Sequence, residues 1–176
     1  MGMNLARRAL AGLVSVVALA APAGDGEEYL LKARCIGFTM YFTVFPKAEP
    51  SQALILGILG TSPFGPSLAE IFTPATTVKG RKVVVRQLRR GADLSGVHVL
   101  YICPSEADRL KEILEELKGK PILTLSDIPN ASANGVMVTL TLEQGKVRPE
   151  VNLQAARAVG LEFTMSFLNF AKVLGR

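Results

Sequence analysis

The chain has 176 residues, of which 49% are hydrophobic and 20% charged, with two cysteines and a single histidine. That length and balance exclude a disordered polymer and suit one domain with a proper core. The formal charge of +5 falls to about +3 once Arg7 and Arg8, in a segment expected to be removed, are set aside. No run alternates basic and aromatic residues, so nucleic acid is not an expected partner.

Residues 1–23 read as a signal peptide. Arg7 and Arg8 form its positive start, Ala9 to Ala20 its uncharged apolar stretch, and Ala21-Pro22-Ala23 the small residues of a cleavage site near Ala23. A membrane anchor needs about 20 apolar residues, and this run stops at Pro22, Gly24, Asp25 and Gly26. Residues 24–176 are then expected to form one domain outside the cytoplasm. An oxidising compartment permits a disulfide between Cys35 and Cys103, and equally two free buried thiols. With His98 the lone histidine and no closely spaced cysteine pair, no metal site is expected.

Tyr29 to Phe45 is apolar nearly all round and predicts a helix ended by Pro46, although Thr39 to Phe45 is β-branched and aromatic enough for a strand. Ala53 to Leu59 is a continuous apolar run, as in a strand covered on both faces, and it ends in a turn from Gly60. A short helix over Ser67 to Phe72 is followed by strands over Lys82 to Leu88 and Val97 to Ile102. Next comes a helix that Ser105 would cap with Asp108, whose stripe is Leu110, Ile113, Leu114 and Leu117, and which Gly119 and Pro121 stop. Ile122 to Leu125 is a fourth strand. Val136, Val138, Leu140 and Leu142, a Gln144-Gly145 turn, then Val147 and Val151 predict an antiparallel hairpin. Two helices close the chain. Asn152 caps the first and Gly160 ends it, and the second aligns Phe163, Phe167, Phe170 and Leu174 on one face. The predicted fold is α/β, a mixed and mostly parallel sheet with an antiparallel C-terminal hairpin and helices on both faces.

Catalytic sets are absent from this pattern. His98 lies inside the apolar run VHVLYI, and Glu112, Glu115 and Glu116 sit on a helix's solvent side. The turn holding Gly60, Thr61, Ser62 and Gly65 lies where α/β folds bind small anions, but it lacks a phosphate-binding signature, and Pro63 and Pro66 each remove an N–H. No enzyme activity and no cofactor are expected. The informative feature is apolar surplus. The first helix has no charge from Cys35 to Phe45, and the last adds Met165 and Leu168 beside its Phe stripe. Phe38, Tyr41, Phe42, Phe45, Phe163, Phe167 and Phe170 are therefore candidate protein-contact residues.

The ordered set YLLK, Phe45-Pro46, ILGTSPFG, GRKVVVRQL, HVLYI, SEADRLKEIL, KPILTLSDIP, RPEVNLQAARAVGLEF and FLNFAKVL resembles the YfiR/HmsC-like family from about Tyr29 to Val173. The resemblance implies a non-catalytic periplasmic α/β domain. It would form homodimers and repress an inner-membrane diguanylate cyclase by binding that enzyme's periplasmic part, and would itself be sequestered by an outer-membrane lipoprotein. The output would be cyclic di-GMP and biofilm behaviour. Relatives fused to sensor kinases imply an alternative, an extracytoplasmic small-molecule-sensing domain feeding a kinase or transporter. Relatives often carry cysteines at the positions of Gly57 and Val97, so their usual inter-strand disulfide is absent here, and often a glycine pair and an Asn that the NGVMVTL segment lacks, while Pro149 interrupts the second hairpin strand.

Overall fold

The computed structural model describes residues 25–46 and 52–174, so the expected signal peptide lies outside the described residues. The chain opens with α1 (Asp25–Phe42), then β1 (Thr43–Val44), β2 (Leu54–Leu59), α2 (Ser67–Ile71), β3 (Thr77–Val78), β4 (Arg81–Leu88) and β5 (Val99–Ile102). A 3-10 turn at Pro104–Arg109 leads into α3 (Leu110–Glu116), followed by β6 (Leu123–Ser126), β7 (Val138–Glu143) and β8 (Lys146–Asn152). The end of the chain is α4 (Leu153–Arg157), β9 (Glu162–Phe163), α5 (Met165–Phe170) and β10 (Lys172–Leu174). Among the described residues no helix is long and apolar enough to cross a membrane.

Eight strands form one sheet in the order β10-β8-β7-β6-β5-β2-β4-β3. Neighbours from β4 to β7 run parallel, β7–β8 is an antiparallel hairpin, and β10 lies parallel to β8. The predicted mixed, mostly parallel sheet is therefore observed. Because β5 is central and side chains alternate along a strand, Val99 and Tyr101 enter the layer that contains α1, α2 and α5, while Leu100 and Ile102 enter the layer under α3. Helices cover both faces, which is why VLYI is apolar throughout.

α1 buries Ala33, Ile36 and Met40, a stripe at helical spacing. Two buried hydroxyls bond back one turn, Thr39 Oγ1 within α1 donating to the Cys35 carbonyl (2.8 Å) and Thr43 Oγ1, just past its end, to that of Thr39 (2.7 Å). The helix stops at Phe42, three residues short of the expected Phe45. Thr43 and Val44 instead pair antiparallel with Phe163 and Glu162, a use that suits β-branched residues just before the Pro46 break.

The C-terminal region departs more from expectation. Phe163 and Leu174 do not share a helix with Phe167 and Phe170; they belong to β9 and β10, and α5 between them is only Met165–Phe170. Partners for backbone hydrogen bonds, in β1 and β8, convert both flanks to strand. The hairpin runs through Pro149 without a break. Gln144 (φ 50°) and Gly145 (φ 74°) form a two-residue turn with both residues left-handed, which makes Glu143–Lys146 a hydrogen-bonded pair. Alternation then puts Pro149, opposite Leu140, at a site where its nitrogen faces away from β7. β10 begins one residue further on, opposite Glu150, so the missing N–H costs no ladder bond.

Candidate functional site

Phe38, on the side of α1 turned from the core, is the hub of an aromatic cluster. Its ring lies 4.7 Å from that of Phe42, 5.3 Å from Phe170 and 5.9 Å from Phe167. Tyr41 stacks edge-on against Phe42 at 5.0 Å. Tyr41 and Phe170 are each 50% exposed, and Met165, the first residue of α5, is 65% exposed. α1 and α5 thus present one apolar face built from two helices.

Two candidate contact residues are corrected. Phe167 is 0% exposed and Phe163 is also buried, their rings 5.1 Å apart, so both belong to the core that seats α5 and β9. Phe42 is half-buried against Phe38 and Tyr41, Phe45 is half-buried away from them beside Val97, His98 and Pro121, and Phe38, Tyr41 and Phe170 are exposed. A six-residue helix has room to bury one stripe only. Phe167 is covered completely, whereas Phe170, three residues on and so on the same side of α5, is the last residue of the helix, where it packs on Phe38 but stays half exposed.

Nearer the start of α1 lies a buried ionic cluster that sequence reasoning missed. Lys32, on α1, donates to Asp127 Oδ2 at 2.7 Å and also pairs with Glu28 one turn earlier. Tyr29 Oη donates to the same Asp127 oxygen at 2.9 Å, and the Lys32 ammonium sits 4.5 Å from the Tyr29 ring centre. Asp127 directly follows β6, so these bonds tie the first turns of α1 to the C-terminal edge of the sheet. Phe64 wedges between Tyr29 (5.3 Å) and Tyr101 (4.8 Å). Among the described residues, the Tyr101 hydroxyl and Asp127 Oδ1 are both buried without a partner. Burial first, and then the neighbouring Asp127, raises the pKa of both tyrosines. A signal existed in the spacing of Glu28, Tyr29 and Lys32 on one helix side, but Asp127 is 95 residues from Lys32 and no local pattern connects them.

The chemistry here is holding rather than reacting. Burial pushes the Cys35 and Cys103 thiols up to about 12, so neither is a thiolate at neutral pH. Both cysteines are free and buried. His98 accepts the Ile55 N–H on Nδ1 (3.2 Å) at the opposite edge of the sheet, and burial and then Arg81 lower its pKa.

In the turn after β2, considered from sequence as a small-anion site, several backbone donors are turned inward. Gly60 N–H donates to the Leu88 carbonyl (3.2 Å), Thr61 N–H to Ser105 Oγ (2.8 Å) and Phe64 N–H to Ser62 Oγ (3.4 Å). These three N–H groups are engaged within the fold rather than turned to an anion. Ser105 is likewise not the cap of α3, which it precedes through a 3-10 turn with Cys103 at the cap position. A side chain at Gly60 would meet Ser105 Oγ at 2.5 Å and Glu106 Cγ at 2.8 Å, and the buried Glu106 is held by Arg90 (3.2 Å) and Arg109 (3.6 Å). The crevice at the switch between β2 and β5 is filled by the protein itself.

Residues 29–172, nearly the whole described chain, match the YfiR/HmsC-like family. The chain belongs to that family. No curated protein matches it. YfiR/HmsC-like proteins are in general regulatory, periplasmic and non-catalytic. The family resemblance also explains a contact in the sheet. A Cβ on Gly57 would lie 3.4 Å from Val97 Cγ1, so the two positions where relatives carry cysteines are spatial neighbours. Here a glycine and a valine fill that space, together with Leu88 and Leu100.

Proposed function

We propose that this YfiR/HmsC-like protein is an exported regulator that docks through the Phe38, Tyr41, Met165 and Phe170 face onto the periplasmic region of an inner-membrane signalling protein, with a diguanylate cyclase as the target and repression of cyclic di-GMP synthesis as the output. One observation supports this most. Large aromatic side chains from α1 and α5 stand in solvent outside the packed core, Phe170 against Phe38 and Tyr41 against Phe42. Exposed aromatics of this kind are the side chains that anchor protein interfaces, because they bury large area at little entropic cost. Export by the 1–23 signal peptide, a homodimer, and sequestration by an outer-membrane lipoprotein complete the reading on the strength of the family resemblance. A membrane sensor kinase would be met by the same face.

The test uses the double variant Phe38→Ser/Phe170→Ser, which removes two exposed rings and keeps the buried Phe163 and Phe167 in place. The variant should fold with an unchanged circular dichroism spectrum, lose co-purification with the membrane cyclase, and raise cellular cyclic di-GMP to the level of a deletion strain. Unaltered cyclic di-GMP in both the variant and the deletion strain would refute the assignment.

A further inference from the structure

A groove of about 1150 Å³ runs between α1 and the tip of the β7–β8 hairpin. Its apolar surface comes from Leu31, Cys35, Phe38, Val147 and Phe170, and its charged groups are Arg34, Glu143, Lys146 and Arg148. Small-molecule sites are typically concave, roughly 300–1,000 Å³ and mostly apolar, with a few convergent polar groups. The charges here are unbalanced. Arg148 faces Glu143 at 3.9 Å, while Arg34 and Lys146, both exposed, have no carboxylate within ion-pair distance among the described residues.

We propose that this groove binds a single-chain carboxylate amphiphile, of the chemical class of a medium-chain fatty acid, with the tail against Phe38, Val147 and Phe170 and the carboxylate at Arg34 and Lys146. Each alternative chemistry leaves one half of the groove unused. A bare anion such as phosphate would not bury the aromatic and aliphatic wall, an uncharged alkane or alcohol would leave two cations uncompensated, and a cationic amphiphile would be repelled by them. An arginine can also grip a carboxylate through two parallel hydrogen bonds, which sets the head group's orientation. Phe38 and Phe170 belong to the docking face as well, so a bound tail would cover part of it; that consequence alone rests on the proposed function.

The test is a calorimetric titration of the purified protein, with no partner present, by dodecanoate held below its micelle threshold. Dodecanol and dodecyltrimethylammonium serve as head-group controls. Saturable one-to-one binding of dodecanoate is expected, weakening with salt and by up to about fourfold for each methylene removed from the tail. Arg34→Glu/Lys146→Glu should weaken it about tenfold or more, and Lys111→Glu on α3, at the opposite face, should leave it unchanged. Equal affinity for dodecanol, unaltered affinity in the double variant, or no binding at all would overturn the inference. So would a double variant whose main change is loss of a dimer, since that outcome would place a second copy in the groove.

Discussion

Asp127→Ala takes the carboxylate from Lys32 in a place where neither side chain sees water, the two being 5% and 4% exposed. Removing one member of a buried ion pair costs about 3–5 kcal/mol, because the other charge stays behind uncompensated. Two features of the cluster move that figure. Glu28 remains on Lys32 and is partly in solvent, which keeps the ammonium from being orphaned and sets the loss at the lower end of the range. Tyr29 loses its acceptor, a cost of about 1–3 kcal/mol, while the buried and unpartnered Asp127 Oδ1 disappears, a gain of similar size. The net expectation is a loss of about 3 kcal/mol. In urea, with a slope of about 1–3 kcal/mol per molar, the midpoint should fall by about 1–3 M at unchanged slope. Lys32→Met/Asp127→Leu, which removes both charges and keeps the volume, should recover most of the loss. An Asp127→Ala midpoint within error of the parent would refute the view that this cluster holds α1 onto the sheet.

Three further outcomes follow from single contacts. Tyr101→Phe deletes a buried hydroxyl without a partner among the described residues, so its stability should stay within about 1 kcal/mol of the parent or rise; a loss well beyond that in thermal melts would mean the hydroxyl is bonded. Gly57→Ala should cost about 1–3 kcal/mol because its methyl meets Leu88 Cδ1 at 2.5 Å, and a denaturation cycle with Leu88→Ala should show the two losses to be less than additive. His98 has a folded-state pKa below its ordinary 6.5 and therefore binds a proton more weakly when folded than when unfolded. Its stabilising contribution is complete above about pH 6.5 and is lost as pH falls from there through the folded-state value. His98→Asn, whose Oδ1 can take the Ile55 N–H, should flatten that part of the stability–pH curve.

The strands were legible because parallel strands covered on both faces must be continuously apolar, as ALILGIL and VHVLYI are. The Gln144-Gly145 hairpin and the Asn152 cap, whose Oδ1 takes the Ala155 N–H at 3.0 Å, were legible because each is closed within a few residues. The mistaken helix ends at Phe45 and Leu174 share one cause. Thr43–Val44 and Lys172–Leu174 became strands by finding partners at Phe163 and Glu150, 120 and 22 residues away, and periodicity carries no information about partners at that range.

Of the candidate contact residues, composition alone indicated that α1 and the C-terminal segment hold more apolar surface than one core face needs. It could not separate Phe167 from Phe170, because the two are chemically identical and only the position of α1 and β8 decides which is covered. The Lys32–Asp127 pair and the groove beside the hairpin were invisible for the same reason. Local structure answers to neighbours along the chain, which the amino-acid order contains. Burial, charge pairing and concavity answer to neighbours in space, and those exist only once the sheet has brought α1, β6 and the hairpin together.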